Sequence, residues 1–289
     1  MQRDAFSRCH PAVNFIFYLG AIGFGVVIQH PAYLAMGFLA SAGYFAMRNP
    51  RKAFKTLLGL LPVFVILAGV NPLFNTYGEK ALFFLFGRPY TWEALAHGMA
   101  VGGMFVIMLL WFMTYSQVLT ADKFLSLFSR LIPSLALLLT MVLRLIPNLI
   151  RKANQILVSR RSIGKGVPEA ASKKQRMKDG MNLVSALTDW LLEGSIITAD
   201  SMRSRGYGTA RRTSFQIYRF TARDGVLVGI LLSLAAAVIL LGGFEASYTP
   251  TWAMQSPGWG LLFYGAYLFV PMILQGKEEL QWHISLSRI

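Results

Sequence analysis

The sequence predicts an all-α, polytopic membrane protein of about six transmembrane helices, with a cytoplasmic helical region inserted between the fourth and the fifth. Of its 289 residues, 55% are hydrophobic and only 14% are charged, whereas soluble domains carry about 25% charged residues. Six apolar stretches are long enough to be membrane spans, and a basic segment of about a hundred residues separates the fourth from the fifth. The chain lacks the polar surface to cover itself in water, so its predicted solvent is a lipid bilayer.

The candidate spans follow from the length of helix that crosses a bilayer. About 20 apolar residues cross a hydrocarbon layer that is ~30 Å thick. The first two stretches are short, and a tight turn of Gln29, His30 and Pro31 separates them. Pro62 lies within the third, where neighbouring helices can satisfy the carbonyl that a proline leaves unpaired. The predicted spans are residues 12–28, 31–47, 55–71, 95–119, 224–242 and 257–275.

Lysine and arginine set the predicted orientation. With the N-terminus inside, 26 of the 28 Lys and Arg residues fall on the inner side, and only Lys80 and Arg88 fall outside. Such an excess in cytoplasmic loops is the usual orientation signal. The first residues lack the pattern of a cleavable signal peptide, so the first span is expected to remain as a helix. We therefore expect a multi-pass protein of the inner or plasma membrane, with both termini in the cytoplasm.

The predicted organisation has three parts: N-terminal transmembrane helices over 1–119, cytoplasmic helices over 120–223, and C-terminal transmembrane helices over 224–289. The central part begins with an apolar stretch bounded by Pro133 and Pro147. Its helix of about 20 Å is too short to cross and return. We expect it to lie at or just under the membrane surface, with a bend at each proline. A further pair of spans is the alternative.

Two more polar helices are predicted, over about 148–163 and 172–205, with the Gly- and Pro-containing linker GKGVPEAASKKQ between them. The second carries apolar residues mostly at three- and four-residue steps, which predicts a stripe that packs largely against the chain's own helices. This stripe consists of Met177, Met181, Val184, Leu187, Leu191, Ile197 and Met202.

Both polar helices end on arginines followed by a glycine. The first ends LVSRRSIGKG, and the second ends ADSMRSRGYG. Basic residues in a last turn and a glycine just beyond it make a good helix stop. Arginine also carries a planar donor fork that suits carboxylates, so two such ends could fit acidic notches on another protein. The candidate residues are Arg160, Arg161 and Gly164 in the first end and Arg203, Ser204, Arg205 and Gly206 in the second.

Motifs along nearly the whole chain resemble those of the transmembrane T component of energy-coupling factor (ECF) transporters, the CbiQ/EcfT family. Ala199 to Tyr207 is similar to the second Ala-Arg-Gly motif of that family, with Arg205 and Gly206 retained. Other matching segments are His10-Pro11, Asn71-Pro72-Leu73-Phe74 with Tyr77-Gly78, Thr91 to Leu95 with Gly98, and Leu143-Arg144-Leu145-Ile146-Pro147.

The resemblance implies a non-catalytic subunit of an ATP-driven importer. Its coupling helices, to which Pro133, Arg144 and Pro147 would belong, dock two ABC-type ATPases through the Ala-Arg-Gly ends and pass motion to a substrate-binding S component. That partner takes up vitamins or cobalt or nickel ions. Arg205 is then the second docking arginine. In the first motif Ile163 stands where the arginine belongs, and Arg161 or Arg160 is the candidate substitute.

Few sequence features support other functions. The chain has no Gly-x4-Gly-Lys-Ser/Thr loop, so no ATP binding is expected. Four scattered histidines and the single Cys9 predict neither a metal site nor a disulfide, and no cofactor is expected. A stand-alone secondary transporter or channel is the alternative, although its spans would carry ionisable residues. The orientation signal accounts for most of the positive charge without nucleic acid.

Overall fold

The computed structural model describes residues 5–75, 81–85, 88–129, 132–164, 172–209, 218–243, 246–247, 253–254 and 256–286. Within these ranges the chain is mainly α-helical, as predicted, with two short antiparallel hairpins, β1–β2 and β3–β4. The helices are α1 Ala5–Arg8, α2 Pro11–Val27, α3 Pro31–Arg48, α4 Pro50–Phe74, α5 Trp92–Val118, α6 Ala121–Phe128, α7 Pro133–Ser162, α8 Lys173–Ser204, α9 Ala222–Leu241 and α10 Gly260–Leu286. The strands are β1 Ala81–Leu85, β2 Arg88–Thr91, β3 Ala246–Ser247 and β4 Ala253–Met254.

Each of the six predicted spans coincides with a helix: α2, α3, α4, α5, α9 and α10. Four described helices are long and apolar enough to cross a membrane, and these are α4, α5, α7 and α9. Helix α2 is apolar but has only 17 residues. These four helices support a protein that crosses the membrane several times. Length and hydropathy alone, however, do not select the same six helices that the sequence predicts as spans.

The chain divides into two compact units. The first comprises residues 1–124 and 218–289, and the second comprises residues 125–217. The first unit contains all the helices at the six predicted spans. The second contains α7 and α8, and α6 passes from one unit into the other.

Two helices of the first unit begin at a histidine that supplies a hydrogen-bond acceptor. His10 and His30 each precede a Pro-Ala pair, and the imidazole Nδ1 of each accepts the amide N–H two residues later at 3.2 Å. Such a cap satisfies an N–H that has no partner within the helix. Proline suits the first helical turn, where no N–H is needed. The same histidine cap, followed by Pro-Ala, thus starts both α2 and α3.

Aromatic side chains form the centre of the first unit. Phe17 of α2 packs edge-to-face on Trp111 of α5 and stacks on Tyr267 of α10, with ring centroids 5.4 and 5.5 Å apart. The Tyr267 hydroxyl lies 3.0 Å from the carbonyl oxygen of Phe17. A Cβ on Gly20 would lie 2.2 Å from that hydroxyl, so a side chain at this position would displace the Tyr267 ring.

Small residues bring α4 and α5 together. A Cβ on Gly98 would lie 2.5 Å from the carbonyl oxygen of Ala68, and one on Gly102 would lie 3.0 Å from that of Phe64. Close backbone contact at residues spaced small-xxx-small is a common means of helix association in membranes, where the lipid supplies no hydrophobic drive.

Two polar contacts hold the N-terminal segment. The Asp224 carboxylate accepts the His10 amide at 3.1 Å and forms a capping box with Thr221 at the start of α9. The buried Lys123 ammonium of α6 donates to both the carbonyl and the hydroxyl oxygen of Ser7. The first helix is therefore fixed to elements that are distant in sequence.

The second unit corrects one prediction. Residues 133–147 and 148–163 form one continuous helix, α7, with Pro147 inside it. Helix α7 has a single face of half-buried positions that continues through the proline at three- and four-residue steps. These positions are Leu145, Leu149, Lys152, Ala153, Ile156 and Arg160. Packing along this face outweighs the local tendency of proline to end a helix.

Candidate functional site

Helices α7 and α8 form an antiparallel pair. Arg160, near the end of α7, contacts Asp179, near the start of α8, and the two side chains form an ion pair of 2.7 Å. Earlier in α7, the Lys152 ammonium lies 5.8 Å from the ring centroid of Trp190, farther along α8. The half-buried face of α8 is Asp179, Leu183, Leu187, Trp190, Leu191 and Gly194.

The C-terminus of α8, residues 202–206, has the hydrogen bonds of a Schellman motif. The Gly206 N–H donates to the Arg203 carbonyl at 3.0 Å, and the Tyr207 N–H donates to the Met202 carbonyl at 3.0 Å. Gly206 has φ of +76°, a left-handed conformation that side-chain-bearing residues rarely adopt. Arg205 is the C-cap, and both Arg203 and Arg205 are exposed. We call residues 202–206 the α8 end.

The C-terminus of α7, residues 160–164, repeats this geometry. The Gly164 N–H donates to the Arg161 carbonyl at 3.1 Å, and Gly164 has φ of +70°. Ile163 is the C-cap, so it occupies the place that Arg205 occupies in the α8 end. Arg161 likewise matches Arg203, and Ser162 matches Ser204. We call residues 160–164 the α7 end.

The two ends lie far apart because the helices are antiparallel. The α7 end lies beside the start of α8 through the Arg160–Asp179 contact, whereas the α8 end lies at the other terminus of the same helix. At 1.5 Å per residue, Asp179 and Gly206 are separated by about 40 Å of helix. A continuous helix therefore sets the spacing between two similarly shaped, arginine-bearing ends.

A comparison with known proteins identifies a similar membrane protein. The chain is 25% identical over 248 residues to the energy-coupling factor transporter transmembrane protein EcfT of Bacillus selenitireducens, an alignment covering 80% of this chain and 91% of that protein. The chain is thus similar to a transmembrane component of an ECF transporter. No protein-family model matches it.

Most of the predicted site residues of this chain are exposed. Arg161, Arg203, Ser204 and Arg205 are exposed at the two helix ends. Pro133, Arg144 and Pro147 are exposed along α7. The structure thus places the predicted arginines and glycines in two groups, at the α7 end and at the α8 end. The remaining three lie elsewhere on α7, Pro133 as its first residue and Arg144 and Pro147 within it.

Arg160 differs from the other candidates because its side chain is held within the chain. Its Nη2 donates to the Asp179 carboxylate at 2.7 Å, and its Nη1 donates to the Asp179 carbonyl at 3.2 Å. Only 22% of the Arg160 side chain is exposed. The Asp179 carboxylate also accepts from Gln175 at 3.1 Å. The sequence singled out Arg160 but gave no signal for Asp179, because the contact depends on how two helices align.

The apolar stripe predicted on α8 is mostly not a packing face. Met177, Met181, Val184 and Ile197 are each more than half exposed, whereas Leu187, Leu191 and Met202 are half-buried. The prediction was wrong for the first four, because the actual contact with α7 runs through Leu183, Leu187 and Trp190. An exposed apolar strip with two methionines therefore remains on α8.

Three histidines of the first unit have local roles. His10 and His30 cap helices, and His97 of α5 lies 3.4 Å from the Asn71 side-chain oxygen of α4. Among the described residues, no three His, Cys, Asp or Glu side chains are grouped as a metal site would require.

Proposed function

We propose that the chain is the non-catalytic transmembrane coupling subunit of an ECF-type ABC importer. The observation that carries this proposal is the pair of similarly capped, arginine-bearing helix ends, spaced by one continuous helix, in a relative of EcfT. Each end docks an ABC-type ATPase, and ATP hydrolysis takes place in those partners. The α7–α8 pair passes their motion to a membrane S component that binds the solute, a vitamin or a transition-metal ion.

Arginine suits the docking role for geometric reasons. Its guanidinium is always charged and can donate two parallel hydrogen bonds to one carboxylate. In the α8 end the left-handed Gly206 turns the chain away directly after Arg205, so the main chain leaves the helix axis clear for an acidic groove. Arg203, two residues earlier in the same end, adds a second exposed cation.

The proposed orientation places both termini in the cytoplasm. Arg8 of α1 and Glu278 of α10 form an ion pair of 2.7 Å, which supports placing the first helix and the later part of the last helix on one side. The exposed Trp92 and Trp259 stand at the starts of α5 and α10, on the proposed outer side. Trp is enriched at membrane interfaces and Lys and Arg on the cytoplasmic side.

Transmission to the S component is assigned to the apolar surface of α7 and α8. Large apolar side chains are exposed along much of α7, among them Leu135, Leu138, Val142 and Ile146. Contiguous exposed apolar surface is typical of a protein or membrane contact. The exposed methionines of α8 suit a contact that must repack while it stays attached, because methionine is unbranched and adaptable.

Charge reversal at Arg205 tests the docking role. Tagged wild-type chain, extracted gently from its native membrane, is expected to co-purify with ABC-type ATPases and a small hydrophobic protein. Arg205→Glu should reduce ATPase recovery by about tenfold or more, because an arginine lost from an acidic groove costs about 2–5 kcal/mol. Arg151→Glu is the matched control, since Arg151 is exposed in mid-α7 and bonds only to its own helix. Equal recovery with all three chains would contradict docking through Arg205.

A further inference from the structure

The start of α4 carries three cations whose charge the described part of the chain does not balance. All three are exposed, and none forms an ion pair or a side-chain hydrogen bond within the residues that the structure describes. The first turn of α4 also contains no acidic residue. Like charges four residues apart repel each other on a helix, so this arrangement costs free energy unless an anion lies beside it. We call Arg51, Lys52 and Lys55 the α4 cations.

The turn just before these cations is held in place. The Nε of Arg48 donates to the side-chain oxygen of Gln117 at 3.0 Å, and its Nη2 donates to the Gln117 carbonyl at 3.1 Å. The Asn49 side-chain amide donates to the same side-chain oxygen at 3.0 Å. These contacts fix the junction of α3 and α4 on the end of α5, so the α4 cations extend from a defined position.

An exposed apolar strip continues from these cations along α4. Its members follow one another at three- and four-residue steps, and each is more than half exposed: Phe54, Leu58, Leu61 and Val65. We call these four residues the α4 strip. Arg51 and Lys55 continue the same spacing, so they share its face of the helix. The opposite face, with Ala53 and Leu60, packs inside the first unit. At 1.5 Å per residue the strip is about 16 Å long, which is half of a hydrocarbon layer ~30 Å thick.

We propose that this face of α4 is a binding site for an anionic phospholipid. The headgroup phosphate lies on the α4 cations, and an acyl chain lies along the α4 strip. Lysine and arginine suit the position because their stems rest on apolar surface while their charged ends reach the headgroups. An anionic membrane surface attracts each nearby lysine or arginine by about fivefold in affinity.

The combination of charge and strip identifies the class of ligand. A soluble anion would balance the α4 cations but leave the α4 strip uncovered. A zwitterionic phospholipid would cover the strip but bring no net charge. One phospholipid with a net negative charge does both, and its acyl chain has the length of one leaflet. This inference rests on α4 crossing the membrane, and it is independent of the proposed docking at the α7 end and the α8 end.

Photoactivatable lipids test the preference for an anionic headgroup. The tagged full chain, extracted gently from its native membrane with its partners, is placed in phosphatidylcholine bilayers. These contain a trace of phosphatidylglycerol or of phosphatidylcholine, each with the same diazirine-bearing acyl chain. Mass spectrometry then locates the labelled peptides. We expect phosphatidylglycerol to label the α4 strip about fivefold or more above phosphatidylcholine. Equal labelling of the strip by the two lipids would overturn the inference.

Neutral variants test the α4 cations themselves. The triple variant Arg51→Gln, Lys52→Gln and Lys55→Gln should lower phosphatidylglycerol labelling of the strip to the phosphatidylcholine level. Exchange of Arg for Lys and of Lys for Arg at the same positions keeps the charge and should keep the preference. The matched control replaces three exposed cations elsewhere with glutamine, Arg151, Lys173 and Lys174. A neutral α4 variant that retains the wild-type preference would refute the site.

Crosslinking in the native membrane distinguishes a lipid from a protein on this face. A photoreactive amino acid at Leu58, which is 58% exposed, should form adducts with the masses of phospholipids, and anionic species should be enriched among them. The same probe at Val226 of α9, which is 63% exposed, is the control and should capture lipids without that enrichment. A product in which Leu58 is joined mainly to another polypeptide would show a protein occupant and contradict the inference.

Discussion

The Arg160 guanidinium lies 2.7 Å from the Asp179 carboxylate and fastens the last turns of α7 to the second turn of α8. Together with the contact of Lys152 with Trp190, it aligns two helices whose other faces are largely exposed. This ion pair therefore helps to fix the distance between the α7 end and the α8 end.

Removal of either partner should loosen the α7–α8 pair. Arg160→Ala or Asp179→Ala is expected to lower the free energy of opening by about 1–3 kcal/mol, between the values for exposed and for buried ion pairs. Hydrogen exchange of amides 152–160 and 179–190 measures this opening. Arg151→Ala should leave exchange unchanged. The double exchange Arg160→Asp with Asp179→Arg should restore part of the protection, and unaltered exchange in Arg160→Ala would show that the pair does not hold the helices.

Alanine at Gly206 should fray the end of α8. A residue with a Cβ in the left-handed conformation costs about 1–2 kcal/mol, and Gly206 has φ of +76°. Exchange of the last-turn amides should therefore accelerate, and ATPase recovery should fall along with it. Gly194→Ala is the matched control, because a Cβ there meets nothing within 4 Å and alanine favours a helix interior by about 0.5–1 kcal/mol. Equal exchange in the two variants would refute the role of the left-handed turn.

Alanine at Gly98 should destabilise the first unit. The added Cβ would lie 2.5 Å from the Ala68 carbonyl oxygen, so α4 and α5 must separate at a cost of about 1–3 kcal/mol. The apparent melting temperature in detergent is expected to fall. Gly103→Ala, on the same helix and with no atom within 4 Å of its Cβ, should melt like the wild type. If both variants melt alike, the two helices are not packed backbone to backbone at Gly98.

Loss of the Asp224 carboxylate should release the N-terminal segment from α9. Asp224→Ala removes the capping box and the acceptor of the His10 amide, which together are worth about 1–3 kcal/mol. Proteolysis before Pro11 should become faster. Thr221→Ser keeps the hydroxyl and should behave like the wild type. Unchanged cleavage in Asp224→Ala would mean that other contacts suffice to hold α1.

Cysteine labelling tests the proposed orientation. In a Cys9→Ser background, a cysteine at Ser204 should react with a membrane-impermeant thiol reagent only after the cells are opened. A cysteine at Trp259, which is 73% exposed, should react in intact cells. The reverse pattern would invert the topology.

The sequence predicted the elements whose signals are local. Apolar length predicts the spans, and glycine marks the two helix ends, so the starts of α2, α3 and α5 and the ends of α7 and α8 fall close to their predicted places. The structure adds that His10, His30 and Thr91 cap the three starts. The continuity of α7 through Pro147 could not be predicted in this way. It depends on a packing face that exists only when α8 lies alongside.

The docking role of the candidate residues stays a prediction. Arg161, Arg203, Ser204 and Arg205 are exposed, which docking would require. Arg160 is less exposed than the other candidates because its side chain pairs with Asp179. Asp179 lies on another helix, and no sequence motif singled it out. The predicted stripe on α8 failed for Met177 and Met181 for the same reason, since periodicity identifies an apolar face but not the surface that covers it.

The exposed apolar surface of α7 has a consequence for how much of this chain a cell can tolerate. The apolar part of that helix could pass for a membrane span by length and hydropathy, yet little of it is buried within the chain. If the proposed partners cover this surface, a copy made in excess of them carries it uncovered, and uncovered surface of this kind drives self-association. The chain is therefore expected to behave as an orphan subunit when it is synthesised alone, aggregating or being degraded. Balanced synthesis with its partners then becomes a condition of its accumulation.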